Sequence, residues 1–231
     1  MNYLQALILG ILQGLTEFLP VSSSGHLVIG QHFLGLREPE MFFDVLVHFV
    51  TSVAVLAYFR RDIWKLVRGI FVPGEREGRH TIWILVIGTL PAVFFGFLLK
   101  DFFEERFCDP HTAAVMLLVT GLILLSTIPA KSRGKQLWKL KWYDALMVGL
   151  AQAFAIMPGI SRSGSTIAMS LHMGITREDA ARFSFLLSLP AIMGATVLEC
   201  ADVAAVPVDR LSVYLVGMAA AGIVGYLAIH L

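Results

Sequence analysis

Charged residues are scarce in this chain. Asp, Glu, Lys and Arg make up 15% of its 231 residues, whereas soluble domains carry about 25%. Hydrophobic residues make up 57%, and they are concentrated in blocks of about 20 residues, the length that a helix needs to cross a bilayer core. The blocks lack the polar–apolar alternation of a membrane β-barrel. The composition therefore excludes a soluble globular domain and predicts an all-α polytopic membrane protein.

Cysteine and early basic residues are also nearly absent. Two cysteines, Cys108 and Cys200, are too few to predict a disulfide framework or a cysteine metal motif. No lysine or arginine precedes Arg37, so the N-terminal segment lacks the basic start of a signal peptide, and we expect it to be retained. The net charge of +1 gives no reason to expect a nucleic-acid partner.

The few charges that are present predict the topology. Basic residues are concentrated in the connections 60–81 and 131–141, whereas acidic residues dominate 100–111. Because basic connections stay cytoplasmic, the first two are expected inside, and 100–111 and 37–40 outside. Spanning helices are predicted over the apolar segments 41–59, 82–99, 112–130, 178–199 and 211–231.

The N-terminal segment 3–36 is apolar but broken in the middle. Leu-Pro-Val-Ser-Ser-Ser-Gly interrupts it at 19–25, and neither half is long enough for a comfortable crossing. A re-entrant helix hairpin, which enters and leaves by the same face, fits this pattern better. Irregular backbone at membrane depth needs surrounding protein or a watery cavity, so the break is expected to be enclosed.

The same hairpin pattern recurs later in the chain, at a constant offset of 139 residues. Ala6–Gln13 resembles Ala145–Gln152, and Ser22–Gly25 matches Ser161–Gly164. A proline precedes each serine cluster. Repetition at a fixed offset predicts that both segments form the same structural unit.

The two units are predicted to be inverted, because the first begins outside and the second begins after the basic connection on the inside. Within a single membrane domain over 1–231, the first inverted repeat covers 1–131 and the second 140–231, each a re-entrant helix hairpin plus spanning helices. Inverted repeats place a site near the midplane where the breaks meet, so the serine clusters are expected together. The offset predicts an end near residue ~269, so the second repeat is expected to lack a last helix.

Two charged residues lie inside the apolar hairpins. Glu17 is the only acidic residue before Glu38, and Arg162 is the only basic residue between Lys141 and Arg177. A charge at the bilayer centre costs about 2.5–3.5 kcal/mol on insertion scales, which favours a functional role. A guanidinium suits phosphate oxygens, whereas a purely structural ion pair between the two is the alternative.

Hydroxyl, amide and imidazole groups surround these charges in the sequence. His26 follows Ser22, Ser23, Ser24 and Gly25, and is predicted to handle protons or a phosphoryl group. The alternatives are a structural histidine and a loop whose serines satisfy their own backbone.

Gln13 lies one helical turn before Glu17 and is expected on the same side. It could orient Glu17 or bind the water shell of a metal ion, and an interhelical amide hydrogen bond is the alternative. The other histidines His32, His48 and His172 have no such polar company and are predicted to be packing or interface residues.

Two long motifs carry a family resemblance. Gln13-x-x-x-Glu17, continued by Phe-Leu-Pro-Val-Ser-Ser-Ser-Gly-His up to His26, resembles the first signature of the undecaprenyl-diphosphatase family, also called bacitracin-resistance proteins. Pro-Gly-Ile-Ser-Arg-Ser-Gly-Ser-Thr over Pro158–Thr166 resembles the second, Pro-Gly-x-Ser-Arg-Ser-x-x-Thr. The motifs occur in the expected order, and the similarity runs along the whole chain.

The resemblance implies an integral membrane phosphatase of the bacterial cell membrane. Such enzymes convert undecaprenyl diphosphate to undecaprenyl phosphate and inorganic phosphate, which recycles the carrier lipid of cell-wall synthesis, and their site opens toward the extracytoplasmic side. A divalent cation, Mg²⁺ or Ca²⁺, is expected to be carried by the diphosphate, with no protein residue assigned to a metal. The expected partners are the polyprenyl diphosphate and the bilayer, with a homodimer left open.

Residue roles follow from the same resemblance. Glu17, Ser23, His26 and Arg162 are predicted to be catalytic, with Ser23 as the preferred nucleophile and attack by water as the rival. The predicted substrate-binding residues are Gln13, Ser22, Ser24, Gly25, Ser161, Ser163, Gly164 and Thr166. The alternative function is a transporter or flippase of a lipid phosphate or small anion, since inverted repeats also suit alternating access.

Overall fold

The computed structural model describes residues 1–36, 40–107, 109–199 and 208–230. Both cysteines and residues 37–39, most of the predicted outer connection, lie outside the described residues. The described part is built of helices, as the composition predicts. Its α-helices are α1 (Tyr3–Phe18), α2 (Ser23–Phe33), α3 (Met41–Tyr58), α4 (Arg60–Phe71), α5 (Arg76–Leu98), α6 (Lys100–Phe107), α7 (Pro110–Leu125), α8 (Trp142–Phe154), α9 (Arg162–His172), α10 (Arg177–Glu199) and α11 (Val208–Ala228).

Several of these helices suit a membrane by length and apolar character. Among the described residues, α3, α5 and Arg210–Ala228 of α11 are long and apolar enough to cross a bilayer, and the count rises to four if the bent pair α6–α7 is taken as one span. These agree with the predicted spans 41–59, 82–99 and 211–231. Helices α7 and α10 form where 112–130 and 178–199 were predicted, and their crossing of the bilayer stays a prediction.

Both broken segments fold as helix pairs with a capped break. The first break lies between α1 and α2, where the Ser22 hydroxyl accepts a hydrogen bond from the Gly25 N–H at 3.3 Å. The second lies between α8 and α9, where Ser161 accepts from the Gly164 N–H at 3.0 Å. A serine at this position satisfies an N–H group that the first helical turn leaves without a partner. The two pairs therefore start their second helix in the same way.

Glycines set the closest helix contacts. A Cβ atom on Gly10 of α1 would lie 2.2 Å from the Gly217 carbonyl oxygen of α11, and one on Gly149 of α8 would lie 2.5 Å from the Gly88 carbonyl oxygen of α5. Small residues allow backbones to approach in this way, which is how helices associate in lipid. Each hairpin is thus held against one long helix by a glycine–glycine contact.

We expect Gly10→Ala to lower the midpoint of thermal unfolding, because the new methyl group collides with backbone that cannot rotate away. Overpacking of this kind costs about 1–3 kcal/mol. The matched control is Gly121→Ala in α7, where a Cβ meets nothing within 4 Å. Unfolding in detergent, followed by size-exclusion fluorescence, measures both variants. Equal midpoints for the Gly10 variant and the unchanged chain would contradict this contact between α1 and α11.

The two basic connections meet at one end of the molecule. His80, at the start of α5, donates from Nε2 to the Leu140 carbonyl oxygen at 2.8 Å. The buried Asp144 carboxylate pairs with Lys135. At the other end, Arg210 of α11 pairs with Glu40 at 3.2 Å. The two connections predicted to be cytoplasmic therefore lie together, as the charge pattern requires.

Helix α4 replaces much of what was predicted as a plain connection over 60–81. Its basic residues Arg60, Arg61, Lys65 and Arg68 alternate with apolar residues at helical spacing. Trp64 and Phe71 lie two turns apart on one exposed face, with exposed fractions of 63% and 76%. An exposed apolar face beside a basic one is typical of a helix that lies in the membrane interface.

Candidate active site

Three helices bring one charged cluster together. Glu17 lies in the last turn of α1, Ser23 begins α2 and Arg162 begins α9. Arg162 Nη2 donates to Glu17 Oε1 at 2.5 Å, and Ser23 Oγ donates to Glu17 Oε2 at 2.5 Å. The Glu17 side chain is 5% exposed and that of Arg162 20%. The two hairpins, which are far apart in the sequence, thus share one carboxylate.

The backbone at Ser22 fixes the position of Ser23. Ser22 has φ 67° and is the one non-glycine residue with positive φ in the described part of the chain. A side chain in this conformation costs on the order of 1–3 kcal/mol, and such strain persists where the surrounding structure holds it. The turn ends α1 and starts α2 within four residues, so the Ser23 hydroxyl lies at the N-terminus of α2 and against Glu17.

The hairpin tips also touch directly. The Ser163 hydroxyl donates to the Leu19 carbonyl oxygen at 3.3 Å. A Cβ atom on Gly25 would lie 2.7 Å from the Gly159 Cα atom. The prediction that the serine clusters lie together is therefore confirmed. The starts of α2 and α9 meet beside Glu17 and Arg162, and helix N-termini favour anions.

Two polar atoms of the cluster have no hydrogen-bond partner among the described residues. Arg162 Nη1 and Gln13 Oε1 are both buried and unpaired. Gln13 Nε2 donates to Glu17 Oε2 at 3.2 Å and to Thr51 Oγ1 of α3 at 3.4 Å, so the bond to Glu17 and the alternative interhelical amide bond are both present. Buried unpaired polar atoms are uncommon in native structures. In the described part of the chain, Arg162 Nη1 is a donor without an acceptor, whereas Gln13 Oε1 is an acceptor without a donor.

The other predicted binding residues lie around this cluster with partners of their own. Ser24 contacts Ser22 at 3.3 Å, and Ser161 contacts Ser163 at 3.2 Å, hydroxyl to hydroxyl. Thr166 is fully buried, and its hydroxyl bonds to Ser184 of α10 at 2.7 Å. Gly164, like Gly25, lies in the first turn of its helix. The substrate-binding roles of these residues stay predictions.

Two histidines differ from what the sequence predicts: His26 was expected beside Glu17, whereas His48 was not. His26 Nδ1 bonds to the Ser22 carbonyl oxygen of its own helix at 2.7 Å. Within the described residues, His26 makes no hydrogen bond to Glu17 or Ser23, so the polar group predicted from the sequence does not include it directly. His48 of α3 does contact both: its Nε2 lies 3.3 Å from Ser23 Oγ and 3.5 Å from Glu17 Oε2.

The prediction that His48 is a packing or interface residue was therefore wrong. It failed because neighbours were sought along the sequence, whereas α3 approaches the hairpin in space. One signal was present: Asp44, His48, Thr51 and Ser52 recur at helical spacing, so they form a polar face on an apolar helix.

Acidic and histidine side chains are too few here for a metal cage. Over the ranges that the structure describes, no group of three or more His, Cys, Asp or Glu side chains could hold an ion. The two Glu17 oxygens already accept bonds from Arg162 and Ser23. The site residues therefore do not fit a cation bound by protein alone.

The chain is similar to known proteins along nearly its whole length. Residues 6–231 match the family described as Bacitracin resistance protein BacA. The chain belongs to this family. BacA-family relatives include the undecaprenyl-diphosphatase of Syntrophotalea carbinolica, which is 47% identical over 100% of this chain and 89% of its own length. The undecaprenyl-diphosphatase of Carboxydothermus hydrogenoformans is 45% identical over 99% of this chain and 87% of its own length. That of Desulfatibacillum aliphaticivorans is 43% identical over 94% of this chain and 84% of its own length.

Proposed function

We propose that this BacA-family chain is a membrane hydrolase that converts undecaprenyl diphosphate to undecaprenyl phosphate and inorganic phosphate. The observation that carries the function is the buried Glu17–Arg162–Ser23 cluster, in a chain similar over its full length to proteins named undecaprenyl-diphosphatase. A hydroxyl beside an arginine with a free donor is what phosphoryl transfer requires. No comparison favours the transporter alternative, since the relatives described above carry a hydrolase name.

The terminal phosphate would lie between the starts of α2 and α9. The free Nη1 of Arg162 would donate to a phosphate oxygen, because it is buried without another partner. Ser22 and Ser161 each accept a hydrogen bond from one N–H group in the first turn of α2 or α9. The remaining N–H groups of these two first turns would add further donors to the phosphate. These donors stabilise negative charge that accumulates on the phosphoryl group as the bond to the bridging oxygen breaks.

The Ser23 hydroxyl is the proposed nucleophile. It attacks the terminal phosphorus, a Ser23–phosphate bond forms, and the bond to the bridging oxygen breaks to release undecaprenyl phosphate. Water then attacks the phosphoserine and releases inorganic phosphate. Support comes from the position of Ser23, at the strained turn that opens α2 and in contact with Glu17. Direct attack by water on the lipid diphosphate is the rival route.

A divalent cation, if one takes part, would arrive on the diphosphate. The absence of a fitting protein cage in the described residues supports this assignment, because Mg²⁺ commonly binds through substrate phosphates and few protein ligands. Its chemistry would be charge neutralisation on the phosphate oxygens. The residues of this chain bind and orient the same oxygens from the other side.

The site is proposed to open toward the extracytoplasmic face. His48 lies seven residues after the start of α3 and ten before its end, which corresponds to about 10 Å and about 15 Å along a helix. The end of α3 leads into the basic helix α4, on the side expected to be cytoplasmic. The cluster is thus closer to the opposite face. A homodimer, which the sequence leaves open, is not needed for this arrangement.

The inverted repeat is likewise part of the proposal. It is supported by the matching caps at Ser22 and Ser161, and by the glycine contacts of Gly10 and Gly149 with α11 and α5. Cysteines introduced one at a time near Glu40 and near Lys139, then labelled with a membrane-impermeant maleimide in intact cells, would test the orientation. Labelling only near Glu40 is the expected result, and labelling only near Lys139 would reverse it.

Phosphate release tests the function itself. We expect the purified chain in detergent to release inorganic phosphate from undecaprenyl diphosphate, where no vectorial transport can be scored. His32→Gln is the matched control for a substitution in α2, because the exposed His32 lies outside the cluster; it should be as active as the unchanged chain. Phosphate release at the rate of buffer alone, by chain that remains folded, would overturn the hydrolase assignment.

A further inference from the structure

His48 reaches the reacting hydroxyl from a helix outside both hairpins. It lies on α3, and its Nε2 is 3.3 Å from Ser23 Oγ and 3.5 Å from Glu17 Oε2. The His48 side chain is 22% exposed, so it lies at the edge of the buried cluster rather than within it. One imidazole nitrogen therefore faces both the proposed nucleophile and the carboxylate that binds it.

The other imidazole nitrogen determines which tautomer is present. His48 Nδ1 lies 2.7 Å from the Asp44 carbonyl oxygen, one turn earlier in α3. A carbonyl oxygen only accepts, so Nδ1 carries the proton and donates it. In neutral His48 the lone pair is then on Nε2, the nitrogen that faces Ser23. A base held by one nitrogen and aimed at a hydroxyl by the other is the arrangement of an activated serine.

His26 has the same backbone bond but not the same neighbours. Its Nδ1 bonds to the Ser22 carbonyl oxygen at 2.7 Å, so its Nε2 is also the basic nitrogen. In the described structure that nitrogen makes no hydrogen bond to Ser23, whereas the Nε2 of His48 lies 3.3 Å from the Ser23 hydroxyl, within reach of its proton. The two histidines differ in what they face, and only His48 faces the hydroxyl.

We propose that His48 is the catalytic base for Ser23, an inference that rests on the proposed diphosphatase function. As Ser23 Oγ bonds to the terminal phosphorus and undecaprenyl phosphate leaves, the hydroxyl proton moves to His48 Nε2. The imidazolium then lies beside the Glu17 carboxylate, which stabilises it. Water then attacks the phosphoserine: its oxygen bonds to phosphorus, the bond between Ser23 Oγ and phosphorus breaks, and His48 returns its proton to Ser23 Oγ. Both protons of the water leave on the released phosphate, as H₂PO₄⁻.

Glu17 is the obvious competitor for this proton, since it accepts the Ser23 hydrogen bond at 2.5 Å. Its Oε1 is held by Arg162, however, and its Oε2 also accepts from Gln13 at 3.2 Å. A proton on Oε2 would displace the donors that now bind there. Glu17 therefore fits the role of a fixed negative charge, which holds Arg162 and stabilises the protonated form of His48.

The charges around His48 come from several helices. Glu17 of α1 faces it directly, and Arg162 of α9 lies behind Glu17. On its own helix, Asp44 is directed away and accepts from Gln31 at 2.7 Å. Helices α10 and α11 also pack against α3. Charged residues on these two helices form ion pairs elsewhere: Arg182 of α10 pairs with Glu178, and Arg210 of α11 pairs with Glu40.

His48→Gln and His48→Ala test the proposal, with phosphate release as the assay. Glutamine can hydrogen-bond but cannot take a proton, so kcat should fall about 10²-fold or more, with KM nearly unchanged. We expect kcat of the unchanged chain to fall at acidic pH, and this fall should disappear in His48→Gln. Added imidazole should restore part of the activity of His48→Ala, where it can occupy the space that the ring leaves.

The controls separate a base from a packing residue. His26→Gln loses a hydrogen bond from imidazole to backbone carbonyl like the one that His48→Gln loses. Its kcat should still fall at acidic pH, even if the substitution lowers kcat at every pH. Unchanged kcat in His48→Gln would overturn the proposal. The proposal would also be overturned if His48→Gln had a low kcat with the pH profile of the unchanged chain, and if imidazole did not restore activity to folded His48→Ala. His48 would then be a packing residue. An inactive unchanged chain would instead overturn the diphosphatase function.

Discussion

Arg162→Ala is expected to lower kcat/KM for undecaprenyl diphosphate by about 10³-fold, which is the loss typical of a group that stabilises transition-state charge. Two causes act together. The phosphate loses the free Nη1 donor, and Glu17 is left as a buried charge without its partner at 2.5 Å. Phosphate release over a range of lipid concentrations measures the change. Arg162→Lys should recover little, because an ammonium cannot hold Glu17 and phosphate in a fixed fork.

Glu17→Gln should have an effect of similar size, and the two losses should not add. Residues that act as one unit show strong non-additivity, so the double variant should be about as impaired as the worse single one. The matched control is the exposed pair Arg182–Glu178 on α10, at 3.2 Å. Exposed pairs contribute little, so its removal should leave phosphate release unchanged. Multiplied losses in the Glu17–Arg162 double variant would show that the two act separately.

An ion pair between Glu17 and Arg162 was one of the alternatives that the sequence left open, because charge is so costly in an apolar segment. Each residue is isolated within its hairpin, and each hairpin has a break that has to be enclosed. Opposite charges at equivalent depths then favour each other as partners. The short distance between the Ser23 hydroxyl and that carboxylate could not be predicted. It depends on the strained turn at Ser22, and serine is not a residue type that indicates positive φ.

Other features depended on packing and were missed. His48 belongs to α3, and the contact with Ser23 exists only because α3 lies against the first hairpin. Helix α4 was read as a connection because its charges were counted for topology, although its apolar residues follow a helical period. Helix α7 ends at Leu125, short of the predicted residue 130, where the hydroxyls of Ser126 and Thr127 bond back to carbonyl oxygens of the last turn.

The proposed repeat gives a reason for the division of labour between the hairpins. With the offset of 139 residues, Ser23 of the first hairpin corresponds to Arg162 of the second, and Glu17 corresponds to Ile156. Equivalent helix starts thus provide a hydroxyl from one side and a guanidinium from the other. Two similar anion-binding turns would bind phosphate but not cleave it; the differences at these positions supply the nucleophile and the carboxylate.

Ser23→Ala is the second substitution for which a large effect is expected, about 10³-fold or more on kcat, if the serine is the nucleophile. Its matched control is Ser170→Ala in α9. Within the described part of the chain, this buried hydroxyl bonds only to the Thr166 carbonyl oxygen of its own helix, at 2.7 Å. That variant should retain nearly full phosphate release, because it loses a serine without touching the cluster.

The covalent intermediate distinguishes a nucleophile from a hydroxyl that merely binds substrate. Acid quenching of the unchanged chain during turnover should leave a phosphate group on Ser23, detectable by mass spectrometry of the peptide that contains it. Ser23→Cys should form an intermediate more slowly, since the larger sulfur atom cannot occupy the 2.5 Å contact with Glu17. Substantial turnover by Ser23→Ala, without a phosphorylated residue, would instead establish attack by water. His48 would then be the group positioned to take the proton from that water, because its Nε2 faces the space that the hydroxyl leaves.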